Sequence, residues 1–262
     1  MKPVYGILMA VALVGILCVA GCTTTDTAGT PTPTQTHAPT PPEMVSLVSV
    51  GEENNRDIVP VSMETVTQVI LPENPPTTGY SWNVTTVDGL TVTDDTFVPP
   101  EKQIPPGAGG VHVWTLAPNA TGIATFSAVY VRPWEEIQPD DERYTVTFYV
   151  TPKGTPVVDV TSADNGTTVS VPNGGAVLVA LNENPTTGYL WNASVAGSAK
   201  IATDSFVPPH LEKPPLVGAG GVHKWLVTFT GAPSGSFDAA YARPWEETTV
   251  DAESFTVSFT GV

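Results

Sequence analysis

Apolar and polar residues alternate in short runs along most of the chain, with the period of two that is typical of half-buried β-strands. In the run 144–150, YTVTFYV, every second residue is apolar, and the threonines at 145 and 147 lie on the opposite face. The runs 255–260, 124–130 and 236–241 show the same kind of alternation. Proline and glycine contribute 27 and 23 of the 262 residues, which leaves little room for long helices. The pattern predicts an all-β fold of many short strands separated by turns.

The alternating region contains two copies of one sequence. The motifs NPPTTGYSW, GAGGVHVW and YVRPWEE return in the same order as NPTTGYLW, GAGGVHKW and YARPWEE, and all six tryptophans fall into equivalent pairs. A copy of roughly 105 residues with about seven strands has the size of a β-sandwich. We therefore predict two tandem β-sandwich domains, domain 1 at 45–151 and domain 2 at 155–262.

The N-terminal region predicts export and attachment to a membrane. Lys2 precedes an apolar stretch that ends in the letters VAGC, which resemble a lipobox whose cysteine, Cys22, becomes the lipid-modified first residue. An uncleaved transmembrane anchor is the alternative reading of the segment 1–22, because about 17 apolar residues are near the short limit for spanning. The segment 23–44 is rich in threonine and proline, which favours an extended stalk. We expect the remainder at the extracellular face of the membrane, anchored through a lipid on Cys22 or released from it.

Charge, cysteine content and histidine context narrow the classes of function. The formal net charge of −16 repels nucleic-acid phosphates, so nucleic acid is not expected as a partner. Both cysteines, Cys18 and Cys22, precede the repeats, which therefore have no disulfide, no thiolate nucleophile and no cysteine metal site. The equivalent residues His112 and His223 are expected to face solvent on strands rather than to bind a metal. We expect no enzyme activity, because no serine or carboxylate dyad stands in a recognisable catalytic context, and no cofactor, metal or small-molecule substrate.

Three segments of each copy carry residues that a plain turn does not require. The segments 184–189 and 218–221, taken alone, are ordinary turn and hairpin-tip sequences. Arg243 and Trp245 flank a proline, and these residue types dominate binding hot spots when they are exposed. The structural alternative is a tryptophan packed on the core, with the arginine paired to a following glutamate. All three segments are nearly identical in the two copies while the strands between them have diverged, which indicates a constraint on the loops. Loops of a sandwich can cluster at one end.

NPTTGY, a glycine-rich GAGG with a downstream tryptophan, and RPW, in this order, resemble the three signatures of the chagasin-type inhibitors of papain-like cysteine proteases. The resemblance covers both copies and excludes residues 1–44. It implies an immunoglobulin-like β-sandwich and a reversible, non-covalent, competitive inhibitor that inserts three loops of each sandwich into the protease active-site cleft. The expected partner is a papain-like cysteine protease, and the chain itself is expected to be monomeric. The alternative is a cell-surface adhesion or carbohydrate-binding module, because such surfaces also use exposed tryptophan and arginine.

The resemblance also implies roles for individual residues. Thr186 would lie nearest the protease cysteine, the glycine loop along one arm of the cleft, and Arg243 with Trp245 along the other arm. The protease-binding residues implied in domain 2 are Asn184, Pro185, Thr186, Thr187, Gly188, Tyr189, Gly218, Gly220, Gly221, Arg243, Pro244 and Trp245. The protease-binding residues implied in domain 1 are Asn74, Pro76, Thr77, Thr78, Gly79, Tyr80, Gly107, Gly109, Gly110, Arg132, Pro133 and Trp134.

Domain 1 departs from the family pattern by one residue, because it reads NPPT where the family has NPT. The additional proline is expected to displace Asn74 from the backbone hydrogen bonds that it makes at the base of its loop. We therefore predict that domain 2 is the tighter inhibitor.

Overall fold

Alternating runs bury one face of each strand and leave the other face to solvent, and such strands assemble into sheets that pack face to face. A computed structural model describes residues 46–100, 107–210, 218–246 and 253–262. The described strands of domain 1 are β1 (Ser46–Val50), β2 (Ile58–Ser62), β3 (Thr65–Glu73), β4 (Ser81–Asp88), β5 (Leu90–Val98), β6 (Gly110–Pro118), β7 (Gly122–Val131) and β8 (Glu142–Thr151). Those of domain 2 are β9 (Val157–Thr161), β10 (Thr168–Val171), β11 (Ala176–Glu183), β12 (Leu190–Gly197), β13 (Ala199–Val207), β14 (Gly221–Phe229), β15 (Ser234–Ala242) and β16 (Glu253–Gly261). Helical structure in these ranges is limited to single turns, namely α1 (Pro75–Thr78) and the 3-10 turns Glu52–Asn54, Ser162–Asp164 and Pro185–Thr187.

The strands of each domain form two four-stranded sheets with the same connectivity. The strand orders are β1-β3-β6-β5 and β2-β8-β7-β4 in domain 1, and β9-β11-β14-β13 and β10-β16-β15-β12 in domain 2. The first strand of each sheet pairs in parallel with its neighbour, and the other pairs are antiparallel. The prediction of two tandem immunoglobulin-like sandwiches is confirmed. The eight described strands per domain exceed the predicted seven, because the N-terminal segment of each domain crosses between the sheets and adds a short strand to both.

The core of each sandwich lies between its two sheets. In domain 1 the side chains at 144, 146, 148 and 150 on β8 are all buried, as the alternation predicts, and they pack with Trp114 and Phe126. In domain 2 the corresponding core contains Trp225, Phe237 and Phe259. Aromatic rings from facing sheets therefore fill the same central positions in both copies.

The predicted signal segment 1–22, with the lipidation residue Cys22, and the predicted stalk 23–44 lie outside the described residues. Within the described ranges, no helix combines the length and apolar character that crossing a membrane requires. The domain limits 45–151 and 155–262 stay predictions.

Candidate functional site

The three segments that recur in both copies lie between strands at one end of the sandwich, where hydrogen bonds join them. We call them loop 1 (74–80 and 184–189), loop 2 (the described part, 107–110 and 218–221) and loop 3 (132–136 and 243–246), and together they form the binding edge of each domain. All the predicted site residues therefore lie in one of two equivalent edges. The described ranges place the three loops of a domain side by side rather than at opposite ends of the sandwich.

Loop 1 is fastened to both of its neighbours by hydrogen bonds. In domain 2 the side-chain amide of Asn184 donates to the carbonyl of Gly218 at 3.1 Å, which joins loop 1 to loop 2. Arg243 Nε donates to the carbonyl of Thr187 at 3.4 Å, which joins loop 3 to loop 1. In domain 1 the equivalent distances, from the Asn74 amide and from Arg132 Nε, are 2.9 and 3.3 Å.

A glycine ends the helical turn of loop 1 and receives the tryptophan of loop 3. Gly188 has φ of 81°, in the left-handed region, and its N–H donates to the carbonyl of Pro185. A Cβ atom on Gly188 would lie 2.6 Å from Cη2 of Trp245, so the close approach of the ring requires glycine. Gly79 and Trp134 repeat this contact in domain 1. The ring of loop 3 is thus held against loop 1 while Thr186 and Thr187, at the tip, stay exposed.

Only one of the three tryptophan pairs is exposed. Trp134 and Trp245 are 72% and 71% exposed, whereas the other four tryptophans are buried. The structural alternative for loop 3, a tryptophan packed on the core, is therefore wrong for the ring. The arginine–glutamate pair expected under that alternative is present. Arg243 Nη1 lies 2.9 Å from Glu246 Oε1, and Arg132 pairs with Glu135 at 3.0 Å. An exposed tryptophan beside an arginine is the combination enriched at binding hot spots.

A stack of aromatic rings supports the arginine from below. The guanidinium of Arg243 lies 4.5 Å from the ring centre of Tyr189, which contacts Tyr241, and Tyr241 contacts the buried Trp191. The hydroxyl of Tyr241 also accepts the N–H of Asn184 at 3.0 Å. The hydrogen bond to the loop 3 glutamate raises the pKa of Arg243 above its ordinary value, so the guanidinium stays protonated in this pair. Stacked aromatic side chains therefore connect loop 1 and loop 3 to the buried Trp191 in the core.

A buried carboxylate closes the base of loop 1, and sequence reasoning missed it. Glu183 is 4% exposed, and its carboxylate accepts the N–H of Trp191 at 2.8 Å across the loop. The same carboxylate lies 3.1 Å from His223 Nδ1, and His223 Nε2 lies 2.9 Å from Asp204. The imidazole stacks on Trp225 with ring centres 4.0 Å apart. Strand neighbours therefore hold the histidine on three sides.

Domain 1 repeats this network with Glu73, Asp95 and His112. The expectation that His112 and His223 face solvent is wrong, because carboxylates of neighbouring strands and a stacked indole cover each ring. The sequence did hold a signal for the acidic partners, since a glutamate stands directly before both NP motifs and an aspartate precedes both FVPP motifs. In the described part of the chain, no group of three or more His, Cys, Asp or Glu is arranged to hold a metal ion.

The additional proline of domain 1 is absorbed by a change of turn. In domain 2 the N–H of Thr187 donates to the carbonyl of Asn184, which makes a 3-10 turn; in domain 1 the N–H of Thr78 donates to the carbonyl of Asn74, which makes an α-turn. The α-turn contains one residue more, so both ends of loop 1 keep their places. The expected displacement of Asn74 is therefore wrong, because its amide and its N–H keep their bonds to loop 2 and to Tyr130.

Domain 1 lacks the hydrogen bonds that the side-chain oxygen of this asparagine accepts in domain 2. Asn184 Oδ1 accepts from the N–H of Thr186 at 3.3 Å and from its hydroxyl at 2.7 Å. Asn74 Oδ1 is buried and has no hydrogen-bond partner among the described residues. The cause is Pro76, which stands two residues after Asn74 and has no N–H to donate.

Three mutually fastened loops at one end of a β-sandwich, with exposed threonines at the tip and an exposed tryptophan–arginine pair beside them, define a binding protein that presents a preformed ridge to another macromolecule. The chain carries two such ridges.

The chain belongs to the chagasin family of peptidase inhibitors, the family I42, whose model matches residues 61–148 and 170–259. Chagasin of Trypanosoma cruzi is 36% identical over 104 residues, which cover 37% of this chain and 92% of chagasin. Amoebiasin-1 of Entamoeba histolytica is 28% identical over 88 residues, which cover 34% of this chain and 84% of the relative. The solved structure of Leishmania mexicana ICP superposes with a TM-score of 0.31 at 32% identity, over 37% of this chain and 90% of that one.

Members of this family are inhibitors of cysteine proteases and not enzymes. The predicted class, a protease inhibitor without catalytic activity of its own, is therefore confirmed. Adhesion and carbohydrate binding, the alternative raised by the exposed tryptophans, are not the function of the family to which the chain belongs.

Proposed function

We propose that each binding edge enters the active-site cleft of a papain-like cysteine protease and blocks it reversibly, in competition with substrate and without a covalent bond. The observation that carries this proposal is the mutual fastening of the loops, in which Asn184 holds loop 2 and Arg243 holds loop 3 to the same turn of loop 1. A ridge that is already ordered loses little conformational entropy on docking, so more of the contact free energy goes into affinity.

The turn in loop 1 explains why a protease would bind this edge without cleaving it. The backbone at Pro185–Thr187 is a 3-10 turn, closed by the bond from the N–H of Gly188 to the carbonyl of Pro185. Cleavage requires a carbonyl placed in attack geometry, and a closed turn does not present its carbonyls as an extended substrate does. In this arrangement Thr186 lies nearest the protease cysteine, the glycines of loop 2 follow one arm of the cleft, and Trp245 anchors the other.

The test is inhibition of papain by the full chain and by the double variant Trp134→Ala/Trp245→Ala. Truncation of a hot-spot tryptophan removes about 2 kcal/mol or more, so the inhibition constant should rise about 30-fold or more. Leu47→Ala is the control, because Leu47 is another large exposed apolar side chain and pairs with the start of β3, at the end of the sandwich away from loop 1. The control should inhibit like the unmodified chain. A double variant that inhibits equally well would contradict the proposal.

We also propose that the mature chain is a monomer tethered outside the cell through a lipid on Cys22, with the segment 23–44 as its stalk. The support is the apolar stretch ending in VAGC and the threonine- and proline-rich composition that follows it. Cells that express the full chain and are fed radiolabelled palmitate should label it, and Cys22→Ser should abolish the label. Cys18→Ser is the matched control and should keep it. Labelling that survives Cys22→Ser would overturn the anchor.

A further inference from the structure

The two sandwiches pack on each other through the outer faces of two sheets. Ile58 on β2 is 1% exposed, and it belongs to the same buried cluster as Leu178 on β11 and Leu226 on β14, which are 5% and 0% exposed. Tyr149 on β8 and Val157 on β9 pack against this cluster. The sheet β2-β8-β7-β4 of domain 1 therefore stacks on the sheet β9-β11-β14-β13 of domain 2, and the four sheets form consecutive layers.

The duplication supplies an internal comparison for the face that domain 2 contributes. Leu178 and Leu226 are register partners in domain 2, and the register partners at the same places in domain 1 are Gln68 and Thr115. Gln68 and Thr115 are only partly buried, and the side-chain amide of Gln68 donates to the hydroxyl of Thr115. The same strand position is thus apolar where it meets the other domain and polar where it meets water.

The face that domain 1 contributes shows the same contrast. Ile58 and Tyr149 correspond to Thr168 and Thr260 in domain 2, on the outer face of the sheet β10-β16-β15-β12. Both threonines are exposed. At these four positions the residue is apolar on the face that the other domain covers and polar at the equivalent place of the second copy, which indicates that the contact is a built interface.

An ion pair fixes the position of the two faces. Lys224 Nζ lies 2.6 Å from Asp57 Oδ1, and the two side chains are 23% and 11% exposed. Val113 of domain 1 stands at the place equivalent to Lys224, and Thr167 of domain 2 stands at the place equivalent to Asp57. The two charges therefore occur only where the domains meet. A partly buried pair needs a defined geometry to offset its desolvation, and it therefore favours one orientation of the domains.

Both binding edges lie at the same end of this stack. Glu142, which begins β8 after loop 3 of domain 1, lines a cleft together with the segment 208–210, which follows β13 and leads toward loop 2 of domain 2. His210 also lines a groove with Asn74, at the base of loop 1 of domain 1. The base of the domain 1 edge and the segment that follows β13 in domain 2 are therefore neighbours.

The short distance between the two binding edges limits whether two proteases can bind at the same time. Sheets pack about 10 Å apart, so equivalent points in the two sandwiches are separated by two layers, about 20 Å. A globular protease domain of roughly 200 residues has a radius of gyration of about 16 Å and hence a diameter of about 40 Å. Two such bodies docked side by side at about 20 Å would overlap.

We infer that one chain holds one protease at a time, because a protease seated on either edge covers the other edge. This inference rests on the proposed function and adds its stoichiometry. The two edges act as alternative sites and are not independent inhibitors joined by a linker.

The experiment is titration of papain of known active-site concentration with the full chain. The expected breakpoint is one protease per chain, and a breakpoint at two would overturn the inference while leaving the proposed function intact. Trp245→Ala, which leaves domain 1 with its edge unmodified, should inhibit more tightly than the double variant Trp134→Ala/Trp245→Ala. If the single and the double variant inhibit equally, domain 1 is inactive. The breakpoint of one protease per chain would then reflect a single working domain, and the inference would be overturned. If the unmodified chain inhibits at no ratio, the proposed function fails and this inference fails with it.

Opening the interface tests the cause directly. The variant Leu178→Gln/Leu226→Thr/Lys224→Glu gives domain 2 the two polar residues that domain 1 carries at the same places, and it sets a negative charge against Asp57. The segment 152–156 that joins the domains can span up to about 17 Å, so separated domains can turn apart. The breakpoint should move from one protease to two per chain. The matched control Gln68→Ala/Thr115→Ala, on the uncovered face of domain 1, should stay at one. A breakpoint that stays at one in the opened variant would overturn the inference.

Discussion

Asn184 and Asn74 occupy equivalent places but differ in how many of their polar atoms find partners. Both donate to loop 2, yet only Asn184 also accepts hydrogen bonds, both of them from Thr186. Losing a side-chain acceptor at the start of a helical turn costs about 1 kcal/mol of the stability of that turn. Loop 1 of domain 1 is therefore less firmly ordered before docking, and domain 2 should be the tighter inhibitor.

Deletion of Pro76 should repair loop 1 of domain 1. The deletion converts NPPTTG to NPTTG, which places a threonine N–H two residues after Asn74. With domain 2 silenced by Trp245→Ala, the inhibition constant for papain should fall about 5-fold, the equivalent of about 1 kcal/mol. The reciprocal control inserts a proline after Pro185 in a Trp134→Ala chain and should weaken domain 2 by a similar factor. An unchanged or higher inhibition constant after the deletion would show that the unpaired acceptor of Asn74 does not matter.

The residues of the binding edge could be predicted because they recur in two copies and because their chemistry is unusual for turns. The partners that hold the edge in place could not, although Glu73 and Glu183 recur just as faithfully. A carboxylate beside an Asn-Pro turn looks like an exposed polar residue until the fold brings a backbone N–H and an imidazole to it. Recurrence marks these glutamates, but burial of a charge depends on contacts distant in sequence, and recurrence does not reveal which contacts those are.

At the scale of elements, period-two alternation predicted the strands well, but it did not reveal that β3 and β11 differ in how they are buried. The run TVTQVILPE on β3 alternates in burial, whereas AVLVALNE on β11 is buried over most of its length. A continuous apolar strand is covered on both faces. The second cover of β11 is domain 1, which the sequence of β11 alone does not reveal.

The two versions of the loop 1 turn show the limit of sequence reasoning for short elements. Their residue types are nearly the same, and an α-turn differs from a 3-10 turn by one residue enclosed. The chain absorbs the additional proline inside the turn, because Asn74 and Gly79 are held from outside by loop 2, by Tyr130 and by Trp134. Tertiary contacts therefore decide the local geometry.

At the scale of the whole molecule, the duplicated fold could be predicted from the repeat, but the stacking of the domains could not. The substitutions that build the interface, such as leucine at 178 and 226 against glutamine at 68 and threonine at 115, are visible in the sequence. They acquire meaning only once the strand register shows which side chains share an outer face. The stacking brings the two binding edges to the same end of the two sandwiches.

Protection of the catalytic cysteine of papain tests most directly whether a binding edge fills the cleft. Papain saturated with the full chain and treated with iodoacetamide should resist alkylation of that cysteine, as read by mass spectrometry. The variant Trp134→Ala/Trp245→Ala, at the same concentration, should protect far less. Alkylation at the rate of free papain, while the chain demonstrably remains bound, would place the contact outside the cleft and contradict the proposed mode of inhibition.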